Sequence, residues 1–134
     1  MRLICTLSLL SLALLCGVAL AADETPAAQK TRKLLKTKIK DISWKDTRLE
    51  DAVNELKEEV RGLFIQLDRK GGVSANSKVN LKLKDKSVEE ILNSICDNLG
   101  GKGWYVRSKK GDTYDGNIFI VVGKARGTEE PKKE

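Results

Sequence analysis

The 21 residues from Val79 to Leu99, VNLKLKDKSVEEILNSICDNL, constrain this chain most, because they read as a strand running into a helix and they have an earlier copy. Shifted back by 39 positions, Leu81 falls on Ile42, Leu83 on Trp44, Lys84-Asp85 on Lys45-Asp46, Glu89 on Glu50 and Asn93 on Asn54. Beyond the helices, Trp104 and Val106 fall on Ile65 and Leu67. The repeat describes how the protein is built. It contains no catalytic constellation.

In the second copy, Val79, Leu81 and Leu83 face one way and Asn80, Lys82 and Lys84 the other, which predicts a strand with one wet side. Val88, Ile91, Leu92, Ile95 and Leu99 then fall on one helical stripe, and Gly100-Gly101 can supply the left-handed residue that stops a helix. In the first copy Ile42 and Trp44 alternate with polar neighbours, and Lys40 stands where the second copy has Val79, so its strand is the poorer one. Leu49, Ala52, Val53, Leu56 and Val60 line a helix face ending at Gly62, and Leu63 to Leu67 reads as a strand. Asp68 to Ser77 is a polar loop. Trp104 to Arg107 returns as a strand, Lys110 to Gly116 carries turn chemistry with a hairpin signal at Asp115-Gly116, and Asn117 to Val122 closes the pattern. The unbroken run Ile118 to Val122 predicts burial on both faces.

Two solutions are open for starting the helices. Thr47 with Glu50 and Ser87 with Glu90 have capping-box spacing, yet these pairs are one position out of step in the repeat. The aligned residues Asp46 and Asp85 could instead cap both helices.

The start of the chain sets the compartment. Met1-Arg2, an apolar run from Leu3 to Leu15, Gly17 and Ala19-Leu20-Ala21 form a signal-peptide pattern with cleavage after Ala21. A bacterial envelope, periplasmic or secreted location follows. Lipidation at Cys16 is disfavoured by Leu15 before it; a leader retained as an anchor is the alternative. Nothing later approaches the roughly 20 apolar residues that cross a bilayer. Loss of residues 1 to 21 leaves 24 basic and 19 acidic residues, +5 on 113 positions, and Cys96 as the sole cysteine. With no internal disulfide available, ordinary core packing must hold one small domain.

Ala22 to Thr37 is a basic linker passing into a short helix, with Thr25 placed to cap it and Pro26 suited to its first turn. Leu34 and Leu35 could rest on the domain. Residues 124–134 read as a disordered charged tail.

Over Lys38 to Gly123, the pattern apolar-x-apolar-Lys-Asp-x-x-apolar-Glu, amphipathic helix, glycine and strand, given twice with a closing strand, resembles the secretin and TonB short amino-terminal domain family. The likeness is best in KVNLKLKDKSVEEILNSICDNLGGKGWYV. It implies an α+β fold of duplicated β-α-β units, βαββαββ, with two helices packed between two small sheets. In larger envelope proteins such a module docks other envelope components. No pore or barrel pattern follows here, so the expectation is a free-standing docking module, non-enzymatic and without a cofactor, acting on an envelope protein.

The residues themselves support that exclusion of catalysis. The chain has no histidine, the usual general base and the commonest metal ligand. Cys96, at the edge of the α-helical stripe, reads as a buried inert thiol. Glu55, Glu58 and Glu59 read as a solvated face interleaved with Lys57 and Arg61, and Asp112, Asp115 and Asn117 lack the spacing of a calcium loop. Gly100-Gly101-Lys102-Gly103 lacks the ending of a phosphate loop, and Trp44 and Trp104 fall on the apolar sides of their strands. One surface feature remains. Arg32, Lys33, Lys36, Lys38 and Lys40 put five positive charges in nine residues, enough to attract an anionic surface through a salt-screened field. That polyanion or membrane-surface reading is the alternative function, with a solubilising linker as the simpler account. Nucleic acid is disfavoured by export and by the scarcity of aromatics for stacking.

Overall fold

The computed structural model describes residues 24–129. The predicted leader, the expected cleavage point after Ala21 and the last five residues lie outside that range. The described residues form a mixed α+β domain of three helices and two small sheets, in the order α1 (Pro26–Leu34), β1 (Lys38–Arg48), α2 (Leu49–Glu59), β2 (Ile65–Leu67), β3 (Lys78–Ser87), α3 (Val88–Leu99), β4 (Lys102–Val106), β5 (Ile118–Val122) and β6 (Arg126–Gly127).

β1 and β3 make a two-stranded antiparallel ribbon; the second sheet has the order β2-β5-β4-β6. β4 and β5 are antiparallel, whereas β2–β5 and β4–β6 are parallel pairs. The predicted stripes form the core. Leu49, Ala52, Val53, Leu56 and Val60 of the α2 segment and Val88, Ile91, Leu92 and Ile95 of α3 are buried. Ile42, Trp44 and Val79 cover them from the ribbon, and Ile65, Trp104, Val106, Ile118 and Ile120 from the larger sheet. Each indole N–H donates to the neighbouring helix, Trp44 to the Glu55 carboxylate and Trp104 to Asn93 Oδ1 at 2.8 Å.

Helix starts resolve differently in the two halves. Ser87 and Glu90 form the capping box of α3, Ser87 Oγ accepting from Glu90 N at 3.2 Å and Glu90 Oε2 from Ser87 N at 2.9 Å. Arg48 begins α2 with no side-chain cap. Distant backbone replaces it: Leu49 N donates to Ser77 O at 2.8 Å and Glu50 N to Ala75 O at 3.1 Å. The same device supplements α3, where Val88 N and Glu89 N donate to Thr37 O and Leu35 O. Asp46 and Asp85 cap neither helix. They adopt left-handed backbone, φ 48° and 51°, a conformation aspartate tolerates because its short polar side chain can bond locally. Ser87→Ala is therefore expected to cost about 1 kcal/mol in denaturant unfolding, and Thr47→Ala no more than about 0.5 kcal/mol, the usual scale of a surface change. The Glu90 carboxyl is held below its ordinary 4.5 by the Ser87 N–H. Its support for the helix start is present above that value and fades as pH falls through the lower, folded-state one.

Three expectations change. Within residues 22–37 the expected short helix, its Thr25 cap and the seating of Leu34 and Leu35 on the domain are present, but the segment is more firmly held than a linker: among those described, Ala28 and Thr31 are also buried, and Thr25 also bonds Ser108 and Asp115. The start of the tail belongs to the fold, because Arg126 and Gly127 pair with Trp104 and Tyr105. β5 is buried on one face only. Ile118 and Ile120 are buried, while Phe119 and Val121 on the opposite face are only half-buried. Phe119 is covered from outside by Tyr105, stacked at 5.6 Å, by the edge of Tyr114 and by the Arg107 guanidinium at 5.5 Å.

Candidate functional site

The five basic residues of the run 32–40 are divided between two elements. Arg32 is half-buried and bonded to Glu24 at 2.6 Å. Lys33 and Lys36 are exposed at the end of α1, and Lys38 and Lys40 are exposed at the start of β1. Helix and strand turn what is one run in sequence into separate groups.

The groups suspected of chemistry are occupied structurally. Cys96 is a buried free thiol, and desolvation pushes its pKa up to about 11, leaving little thiolate for nucleophilic work at neutral pH. Asp112 accepts from Tyr114 N at 2.8 Å and pairs with Arg107 at 3.0 Å; these bonds hold its carboxyl below the usual value. Asp115 Oδ1 receives Thr25 Oγ1 at 2.6 Å and Lys109 N at 3.0 Å. Asp115 thus ties the 107–117 loop to the start of α1, and Asp112 braces that loop internally. Glu58 and Glu59 are exposed on α2. Among the described residues no group of three or more Cys, Asp or Glu side chains is placed to hold a metal ion, and no helix is long and apolar enough to cross a membrane.

The larger sheet ends in two strands with one neighbour each, β2 and β6. Phe64 O accepts from Ile118 N at 2.8 Å and Asp68 N donates to Ile120 O at 3.0 Å. Strand alternation then directs the N–H and C=O of Ile65 and Leu67 to the open side. The carbonyl of Leu67 takes Arg69 N at 2.9 Å. Beside this edge runs a groove of about 340 Å³ between α2 and β2, with Glu50, Asn54 and Lys57 on one wall and Gln66, Leu67 and Arg69 on the other. At the opposite end of β2, a cavity of about 460 Å³ is lined by Ala27, Lys30 and Thr31 of α1, the exposed Phe64, and Tyr114. Sequence periodicity identified β2 but not its edge, because strand order depends on pairing between segments about 50 residues apart.

Compared with family models, with characterised proteins and with solved structures, the chain matches none of them.

Proposed function

We propose that this chain is an exported, non-enzymatic docking module of the cell envelope, of the secretin and TonB short amino-terminal kind, which binds an envelope protein by strand addition to β2. Its plan is a duplicated βαββαββ unit followed by β6. Support for the duplication comes from the 39-residue offset, which relates the starts of α2 and α3 at Leu49 and Val88 and the left-handed Asp46 and Asp85. The observation that carries the docking reading is the β2 edge, whose outward backbone groups open beside the α2 groove. An extended segment can pair with such an edge while its side chains enter the groove.

Leu67→Pro tests this. It removes an outward N–H while leaving the β5-facing groups of Phe64 and Asp68 in place, and the preceding Gln66 is already extended, as proline requires. A photo-crosslinker at Gln66 or Asn54 should yield a discrete adduct in envelope extract, lost in the proline variant; one at Lys110 should not. Equal adducts from all three positions, or adducts indifferent to the proline, would overturn the proposal.

A further inference from the structure

The β1–β3 ribbon gathers the positive charge of the molecule. It carries Lys38, Lys40, Lys45, Arg48, Lys78, Lys82, Lys84 and Lys86 against Asp41, Asp46 and Asp85, an excess of five, where the whole chain has an excess of six. All eight basic side chains are exposed. Arg48 is paired with Glu50 at 2.7 Å; among the described residues none of the seven lysines lies within ion-pair distance of a carboxylate.

The register makes this a face rather than a list. Ile42 pairs with Leu83, Trp44 with Leu81 and Thr47 with Val79, toward the core; Asp41 pairs with Lys84, Ser43 with Lys82 and Arg48 with Lys78, away from it. Lysines two residues apart on one face of a strand stand about 6.6–6.8 Å from each other. The outer face therefore presents Lys78, Lys82 and Lys84 along β3, with Lys45 and Arg48 exposed on the neighbouring β1, so that both strands contribute to it.

We infer that this face is a second binding surface, which seats the domain on an anionic phospholipid bilayer. The chemistry of the face selects that occupant. Between the charges stand Ser43, Asn80 and Asp41, so no exposed aromatic offers a platform for bases. The one arginine is committed to Glu50, which leaves no free guanidinium fork for bidentate base reading. Compact ammonium groups match a delocalised sheet of phosphates, with each basic residue near such a surface adding to the attraction. No large apolar side chain projects from the ribbon, so binding is peripheral and salt-sensitive. The surface is independent of the β2 edge.

The test is cosedimentation of the full chain with vesicles of phosphatidylcholine alone or mixed with phosphatidylglycerol, so that neutral vesicles report whatever the leader contributes. Selective binding to the anionic vesicles, weakening as salt rises, is expected. Lys45→Glu, Lys78→Glu, Lys82→Glu and Lys84→Glu combined should reduce it at least about a hundredfold, and the corresponding four Lys→Gln changes should reduce it less, with unchanged circular dichroism in both. Reversal of Lys30, Lys33, Lys36 and Lys110 alters net charge equally and should cost no more than about threefold. Equal binding to neutral vesicles, equal loss in the two charge-reversed variants, or tighter binding to a DNA duplex than to anionic vesicles would each overturn the inference.

Discussion

Trp104→Ala is expected to destabilise the domain by about 3–5 kcal/mol, the range for deleting a large buried aromatic. Trp104 is 1% exposed between α3 and the larger sheet, and its ring lies against Gly127, where an added Cβ would meet it at 3.4 Å. The substitution therefore opens a cavity in the core and unseats β6. A domain of this size has roughly 5–15 kcal/mol of total stability, so the variant should show a much lower urea midpoint and a measurable unfolded fraction at physiological temperature. Trp104→Phe keeps most of the ring volume but loses the bond to Asn93. It should cost only about 1–2 kcal/mol, since a typical buried hydrogen bond and a modest shape change are each worth about 1 kcal/mol. A loss for the alanine variant no larger than for phenylalanine would show that Trp104 is not packed as described.

Gly116→Ala is expected to cost about 2–4 kcal/mol, from left-handed backbone strain of about 1–2 kcal/mol and a broken contact with α1. Gly116 has φ +81°, and a Cβ there would lie 2.8–2.9 Å from the Cβ and carbonyl of Ala27. Its own carbonyl accepts the buried Thr31 hydroxyl, so the helix cannot back away without losing that bond. Gly111→Ala supplies the control: its φ is +80° but its surroundings are open, so only the backbone strain of about 1–2 kcal/mol applies. Hydrogen exchange distinguishes the two. In Gly116→Ala the amides of α1 should lose protection while those of α3 keep theirs; in Gly111→Ala both should stay protected. Unchanged α1 protection in the first variant would mean that α1 is not held through this loop.

These variants separate what periodicity carries from what it misses. Both amphipathic stripes were legible because a helix buries residues three and four apart, a pattern each segment displays alone: Leu49 to Val60, and Val88 to Ile95, are buried as spaced. The glycine stop after α3 was equally local, with Gly100 at φ 71°. The α3 cap was legible too, since Ser87 and Glu90 need only each other. The α2 cap was not, because Ser77 and Ala75 come from a loop whose position depends on how β3 pairs with β1. For the same reason an unbroken apolar run misled at β5: Phe119 is shielded by Tyr105, Tyr114 and Arg107 on the outer surface rather than by a second core.

The candidate surfaces divide along the same line. The basic run 32–40 is conspicuous in one dimension, yet Arg32 turns to Glu24 and the four lysines are divided between the end of α1 and the start of β1. The lysines of the ribbon are scattered in sequence between apolar residues. They become a face only when two strands 30 residues apart align in antiparallel register.

By itself, then, the sequence determined the strand-helix alternation, the buried stripes and the absence of histidine chemistry, all of which follow from local periodicity and residue type. Tertiary structure alone decided that α1 and β6 belong to the domain, that β2 is an open edge beside a groove, and that lysines from both halves share one surface. Each of those facts depends on pairing between distant segments, which is fixed by packing around a common core rather than by any segment's own composition.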